Sequence, residues 1–502
     1  MIRAGVKNAR WRTLLLVVII LLATSSAART PQVANDGTVI EDVTLISPER
    51  AVPLRHATVV IRDGKIAVVG TRVVAGPHAR RIDGRNRFLI PGLIDSHVHV
   101  GASAALDDDA IDAHPDLWAA YRAQVPPAYL AFGFTTVVDL DLKQSDQTWF
   151  TSTPLHPHLY SCGRGIKVAG GYGVFQVPPP GSPKFPNLVY EPQEDKSWPQ
   201  SLNASDYTPE RAVARAADAG AICVKAFVET GFGLFHWPYL HEETLHEIRR
   251  AATLRHLTLL VHANALESWQ EALGAHADVI AHGLWIWPGD MTSAAPPKQV
   301  GDVIAAVARE QIHVQPTMQA VAGERAFYDT GLLDDPRLTM ALPRSVIGYL
   351  RSPEGEKARK ALLERYQKIL PGRPFPSTLA VFIERTRATF NIMLRDQVPL
   401  VFGSDTPAAD GFGNPPGLNG RLEMQNWADS GAPLSLLLRA ATIDNASALG
   451  LAAEVGSIEV GKRADMVLLK ENPLASVAAY DSIEAVFLDG QPIPRETLRG
   501  QQ

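Results

Sequence analysis

Eight short apolar runs recur along the middle of the chain: FLIPGLID, TTVVDL, HLYSCG, ICVKAF, LTLLVHA, DVIAHG, IHVQPTM and PLVFGSD. Several are separated by helical stretches such as EETLHEIRRAATLRH. Runs this short and this rich in β-branched residues read as buried strands. Strands alternating with helices call for a parallel sheet, and eight of them predict an α/β fold built on a closed TIM-type (β/α)8 barrel. Such barrels place their chemistry at the carboxyl ends of the strands, so the last residues of each run matter most.

The two ends of the chain read differently. Residues 35–88 form short strands with tight turns, among them ATVVIRDGKIAVVG, whose Asp63-Gly64 is a hairpin signal. RADMVLLK and IEAVFLDGQPI, with Asp489-Gly490, resume that style near the C-terminus. The expected layout is a small β-sandwich domain assembled from 29–88 and 453–502, around a barrel spanning 89–452. Two insertions interrupt the barrel. Residues 163–201 are rich in Gly and Pro and read as a substrate lid; 318–396, with EKARKALLERYQKIL, read as a helical cap.

At the N-terminus, Arg3, Lys7, Arg10 and Arg12 precede ten apolar residues, Leu14 to Ala23, and then a stretch of small residues. This pattern predicts a signal peptide, 1–28, cut after Ala28, and export to a periplasmic or secreted location. An uncleaved N-terminal anchor is the alternative, though ten apolar residues fall short of the ~20 a membrane span needs. Loss of the four cations would take the net charge from −5 to −9. No basic block marks a nucleic-acid partner. Cys162 and Cys223, both in apolar runs, are expected to be packed core thiols. Whether copies of the chain associate is left open.

Reading the strand ends leaves a short list. The first run closes on Asp95, His97 and His99, which alternation points to one side. The fourth carries Lys225; the fifth, sixth and eighth end in His262, His282 and Asp405. Four of the fifteen histidines thus sit at the carboxyl ends of strands, the pattern of a metal site. Lys225 has no carboxylate in its own strand, and burial there would shift it toward the neutral amine. It could capture carbon dioxide as a carbamate bridging two metals, pair with a carboxylate elsewhere, or reach outward to water. Other histidines read as structural. His156 and His158 begin their strand, at the opposite end from the chemistry. His241 and His246 are five apart, which puts them on divergent faces of a helix. His313 shares a side with Gln315 and Thr317, where core packing is the expectation.

Together PGLIDSHVH, GFTTVVDL, the Lys225 strand, VHA, DVIAHG, FGSD and AATIDNASALGLAAEVGSIEVGKRADMVLL resemble the amidohydrolase superfamily, in particular its imidazolonepropionase-like and prolidase-like members. The resemblance implies two divalent metal ions. His97, His99 and Asp405 would hold the more buried one, His262 and His282 the other, with carboxylated Lys225 bridging both and Asp405 shuttling the proton. Zinc suits such ligands. Three departures stand out: Ala221-Ile222 before the lysine, AHG where relatives often have EHG, and Leu422-Glu423 where a His-Glu pair is common. The missing acid of EHG leaves a supporting carboxylate unaccounted for.

The implied activity is hydrolysis of a C–N amide bond in a small substrate, such as an Xaa-Pro dipeptide or an N-acyl amino acid. A cyclic amide, lactone or phosphotriester is the alternative for the same centre, and a non-catalytic binding protein the remote one. Specificity residues are expected in 163–201, in 318–396 and after Asp405, where Arg421 is a candidate.

Overall fold

A computed structural model describes residues 32–500 except 183, 371, 409 and 410, so the expected signal peptide lies outside the described residues. No helix among the described residues is long and apolar enough to cross a membrane.

Seven of the expected runs contain strands that pair parallel with one another, and the eighth, 399–405, is joined to its neighbours through isolated parallel bridges at Leu400 and Thr406. Leu93–Val98, Phe134–Asp139 and His158–Ser161 make a three-stranded sheet. Cys223–Phe227, Thr258–His262, Val279–Ala281 and His313–Gln315 follow one another in a six-stranded sheet. Backbone bonds link the two sheets at both margins. On one side, Ile222 N donates to Ser161 O at 2.9 Å. On the other runs the segment 399–406: Val401 N donates to Val314 O at 3.0 Å, and Asp405 N to His97 O at 2.8 Å. The eight runs therefore succeed one another in space as they do in sequence, with His97 beside Asp405 at the junction.

Strands buried on both faces need helices outside them. Pro209–Asp218, Glu242–Thr253 and Lys298–Arg309 bury one face each, through Ala212, Val213 and Ala216, then Leu245, Ile248 and Ala252, then Val300, Val303 and Val307. These are i, i+1, i+4 and i, i+3, i+7 spacings, which keep the residues on one face of a helix. Residues 318–396 do form helices, the longest being Phe375–Arg395. Segment 163–201 is less loose than expected, because Ile166–Lys167 and Asn187–Leu188 extend the six-stranded sheet.

Both ends of the chain meet in one eight-stranded sheet. The seam is Phe88–Pro91 against Met466–Leu469, antiparallel. Its two turns have the backbone that Asp-Gly hairpins require, with φ 49° and 73° at Asp63-Gly64 and 47° and 75° at Asp489-Gly490. A further two-stranded sheet pairs Gln32–Ala34 with Val73–Ala75.

One expectation is corrected. Cys162 and Cys223 are not free thiols; they form a disulfide with Cα atoms 4.3 Å apart. Each lies in its own apolar run, and only the adjacency of the third and fourth strands brings the sulfurs together. The bridge is packed among Ile94, Val138, Leu260 and Val401, beneath the strand ends. It closes a separation of 61 residues, and it places a covalent tie two residues before Lys225.

Candidate metal centre

The strand ends bring five side chains to a common point. His97 Nε2 and His99 Nε2 each lie 3.3 Å from Asp405 Oδ1. His282 Nδ1 is 3.7 Å from Asp405 Oδ2, while its Nε2 is 2.9 Å from His262 Nδ1. Rings of His97 and His282 stand 4.9 Å apart. Two of these residues adopt left-handed backbone, φ 89° at His282 and 56° at Asp405. Such strain in residues with side chains persists where surrounding structure enforces it, and it concentrates at functional sites. Gly403 is also obligatory here, since a Cβ on it would lie 2.7 Å from that of His97.

Lys225 completes the group. It is fully buried, and its Nζ has no hydrogen-bond partner. A buried unpartnered ammonium would be very costly. Burial accordingly lowers the amine to about 7, so a large neutral fraction exists near neutrality. Desolvation likewise pulls His97 and His282 well below the ordinary histidine range, and His262 below it. His99 moves the other way: burial opposes its charge, but the bond and charge of Asp405 outweigh burial. Asp405 stays ionised despite burial, because His97, His99 and His282 hold its carboxyl well below the usual range. Neutral imidazoles at His97, His262 and His282, an anionic carboxylate and a free amine are the protonation states that metal binding requires, and His99 would give up its proton on binding an ion. The donor set therefore fits divalent cations.

Two of the ring nitrogens also have polar partners outside these five residues. His282 Nδ1 meets Thr317 Oγ1 at 2.9 Å. His262 Nε2 meets Glu229 Oε2 at 3.2 Å. Glu229 was not foreseen. Four residues beyond Lys225, it is 1 % exposed and accepts from Asn264 Nδ2 at 2.6 Å and from the backbone N–H of Gly231 and Phe232. Burial works against its charge, but these bonds and His262 hold its carboxyl below the usual value. It thus supplies a supporting carboxylate that the AHG motif lacks. The acid after an apolar strand, just before Thr230-Gly231, was the available signal. A carboxylate accepting from Nε2–H fixes the tautomer that leaves Nδ1 free to bind metal. The Glu229→Gln variant is expected to bind metal about 10–100-fold more weakly, measured by competition with a chelator. Unchanged affinity would reduce Glu229 to a packing role.

The other candidates lie elsewhere. Asp95 sits below the cluster, joining the first run to the eighth through Ser404 N at 2.9 Å and Ser404 Oγ at 2.5 Å. His158 faces Asp465 of the terminal sheet at 3.2 Å, and His241 faces Glu194 and Glu271. Gln315 donates to Ser96 O at 3.0 Å. Arg421 is buried, and its guanidinium is paired with Asp481 at 2.7 Å. Glu423 is buried and accepts from Gln319 N and Trp427 Nε1, tying its helix to the segment after the seventh strand. A cavity of about 750 Å³ opens between the segments that follow His99 and Asp405, with Trp118, Tyr349 and Arg359 on its walls. That is room for a small organic molecule.

Strand-end histidines, an aspartate and a lysine over a parallel α/β core define a class, and sequence comparison agrees with it. The amidohydrolase family model matches residues 88–493, and the chain belongs to that family. Ochratoxinase of Aspergillus niger is 23% identical over 471 residues, covering 88% of this chain and 83% of the relative. Dihydroorotase of an Anaeromyxobacter species is 56% identical, but over 43 residues only, 9% of this chain and 10% of that protein. Among solved structures, a prolidase complexed with N-methylphosphonate-L-proline superposes with a TM-score of 0.63 at 22% identity, over 91% of this chain and 99% of the other. Family membership and the structural neighbours together imply a TIM-type barrel.

Proposed function

We propose that this chain is an exported metal-dependent hydrolase that cleaves a C–N amide bond in a small substrate, an Xaa-Pro dipeptide or an N-acyl amino acid. The observation that carries the reading is the convergence of four histidines, ionised Asp405 and the unpartnered Lys225 amine at the strand ends. His97, His99 and Asp405 would hold one ion, His262 and His282 a second, both zinc. The neutral Lys225 amine would add to carbon dioxide, lose a proton and bridge the two as a carbamate. Family membership and a prolidase among the structural neighbours support the choice of an amide. In the same reading the two linked parallel sheets are one closed barrel, and the terminal sheets a β-sandwich. Export rests on the N-terminal sequence pattern, and a mature chain starting at Arg29 would support it.

Divalent ions held by these residues would supply Lewis-acid chemistry, acidifying water and polarising the scissile carbonyl. The rest falls to the chain's own groups. Asp405, ionised and bordering the cluster, accepts a proton at a carboxylate oxygen and returns it to the departing nitrogen. Glu229 and Thr317 hold His262 and His282 in one orientation. Mass-spectrometric screening of the zinc-loaded protein against Xaa-Pro dipeptides, N-acyl amino acids, lactones and phosphotriesters tests the proposal. Cleavage of amides is expected; ester or phosphotriester cleavage without amide turnover would sink it.

A further inference from the structure

A chain of aromatic rings leads from the candidate centre to the surface. Phe227 ends the strand of Lys225 and lies 5.4 Å from the ring of His262, at 28°. Tyr172, from the 163–201 insertion, stacks on His262 at 5.3 Å and 28°. Its other neighbour is Trp237, 5.9 Å away at 29°, with Phe232 edge-on at 5.8 Å. Trp237 then stacks on Phe235 at 5.3 Å and 7°, and Phe175 meets it edge-on at 5.1 Å. The last two rings are open to water, Phe175 being 59% exposed and Phe235 45%.

Two observations separate this array from ordinary core packing. A packed core hides its largest rings, whereas here they pass from buried Phe227 through half-buried Tyr172 and Trp237 to exposed Phe175 and Phe235. The nearest cation is also engaged elsewhere: Lys167 Nζ lies 4.5 Å from the Phe227 ring but bonds Asp141 at 2.9 Å. Away from Phe227 and His262 the wall is made of rings alone, with Tyr172, Trp237 and Phe235 in near-parallel planes and Phe232 and Phe175 edge-on to them. Near-parallel planes favour another ring over a branched aliphatic group, since offset stacking adds to simple burial.

We propose that this wall is a substrate subsite and that the amide cleaved here carries an uncharged aromatic side chain, seated against Tyr172 and Trp237. The inference rests on the amide-hydrolase reading and narrows it to a substrate class. Its wall comes from the loops after the third and fourth strands, where the lid insertion meets the Lys225 strand.

The test compares matched pairs, Phe-Pro with Ala-Pro and N-acetylphenylalanine with N-acetylalanine, on wild-type protein and on Trp237→Ala and Phe235→Ala. Wild type is expected to favour the aromatic member by about tenfold or more in kcat/KM, chiefly through KM. Trp237→Ala should bring that ratio toward one, and Phe235→Ala should lower it. A wild-type ratio near one, or an undiminished ratio in Trp237→Ala, would overturn the subsite while leaving amide hydrolysis intact. Binding of phenylalanine and alanine, followed by calorimetry, separates the two failures. Phenylalanine binding lost in Trp237→Ala, with no amide turnover in any variant, would keep the subsite and reject the amide reading. Equal weak binding of both amino acids to wild type would reject the subsite.

Discussion

Replacing Lys225 by methionine is expected to lower bound metal from about two ions per chain to one or fewer, and activity by about a thousandfold, as loss of a bridging ligand removes the pairing of the ions. Methionine nearly conserves the volume and removes a buried amine that has no partner. Folding should therefore survive, and a thermal melt at or above that of wild type checks it. Lys225→Ala serves as a second variant with the same expected metal loss. If either variant kept two ions per chain, Lys225 would not be a bridge. Were Lys225 a structural ion-pair partner instead, a carboxylate would bond its Nζ, and among the described residues none does.

The second large effect belongs to Asp405. Its carboxylate touches His97 and His99 and lies near His282, so Asp405→Asn keeps the shape and removes both an anionic ligand and the proton acceptor. Loss of general acid–base assistance alone costs about 10²–10⁴ in kcat. Supplying excess zinc should restore part of the metal content in Asp405→Asn without restoring the rate. Full activity at saturating zinc would show that Asp405 is a ligand only and that another group moves the proton.

Much of this site could be read before any coordinates, for definite reasons. His97 and His99 alternate along one strand, and the carboxyl-end rule placed His262, His282 and Asp405 beside them. The Asp63-Gly64 and Asp489-Gly490 turns were legible because so few residues accept positive φ in succession. What escaped reading depends on contacts between segments. Cys162 and Cys223 are 61 residues apart, and nothing local says that their strands are neighbours. Glu229 reaches His262 only because its backbone turns directly after the fourth strand, at Gly231 with φ 119°. Arg421 looked available as a lone cation after Asp405, but its partner Asp481 lies 60 residues onward in the C-terminal segment. The aromatic wall is likewise assembled from two loops whose rings are unremarkable in sequence.

Metal content and amide hydrolysis, measured together on one sample, test the central claim most directly. The purified protein would be assayed as isolated, after exhaustive chelation, and after zinc is returned. The expected result is about two ions per chain, loss of amide cleavage with the metal, and recovery on its return. Undiminished cleavage by chelated protein that holds no metal would contradict a metal-dependent centre at these strand ends.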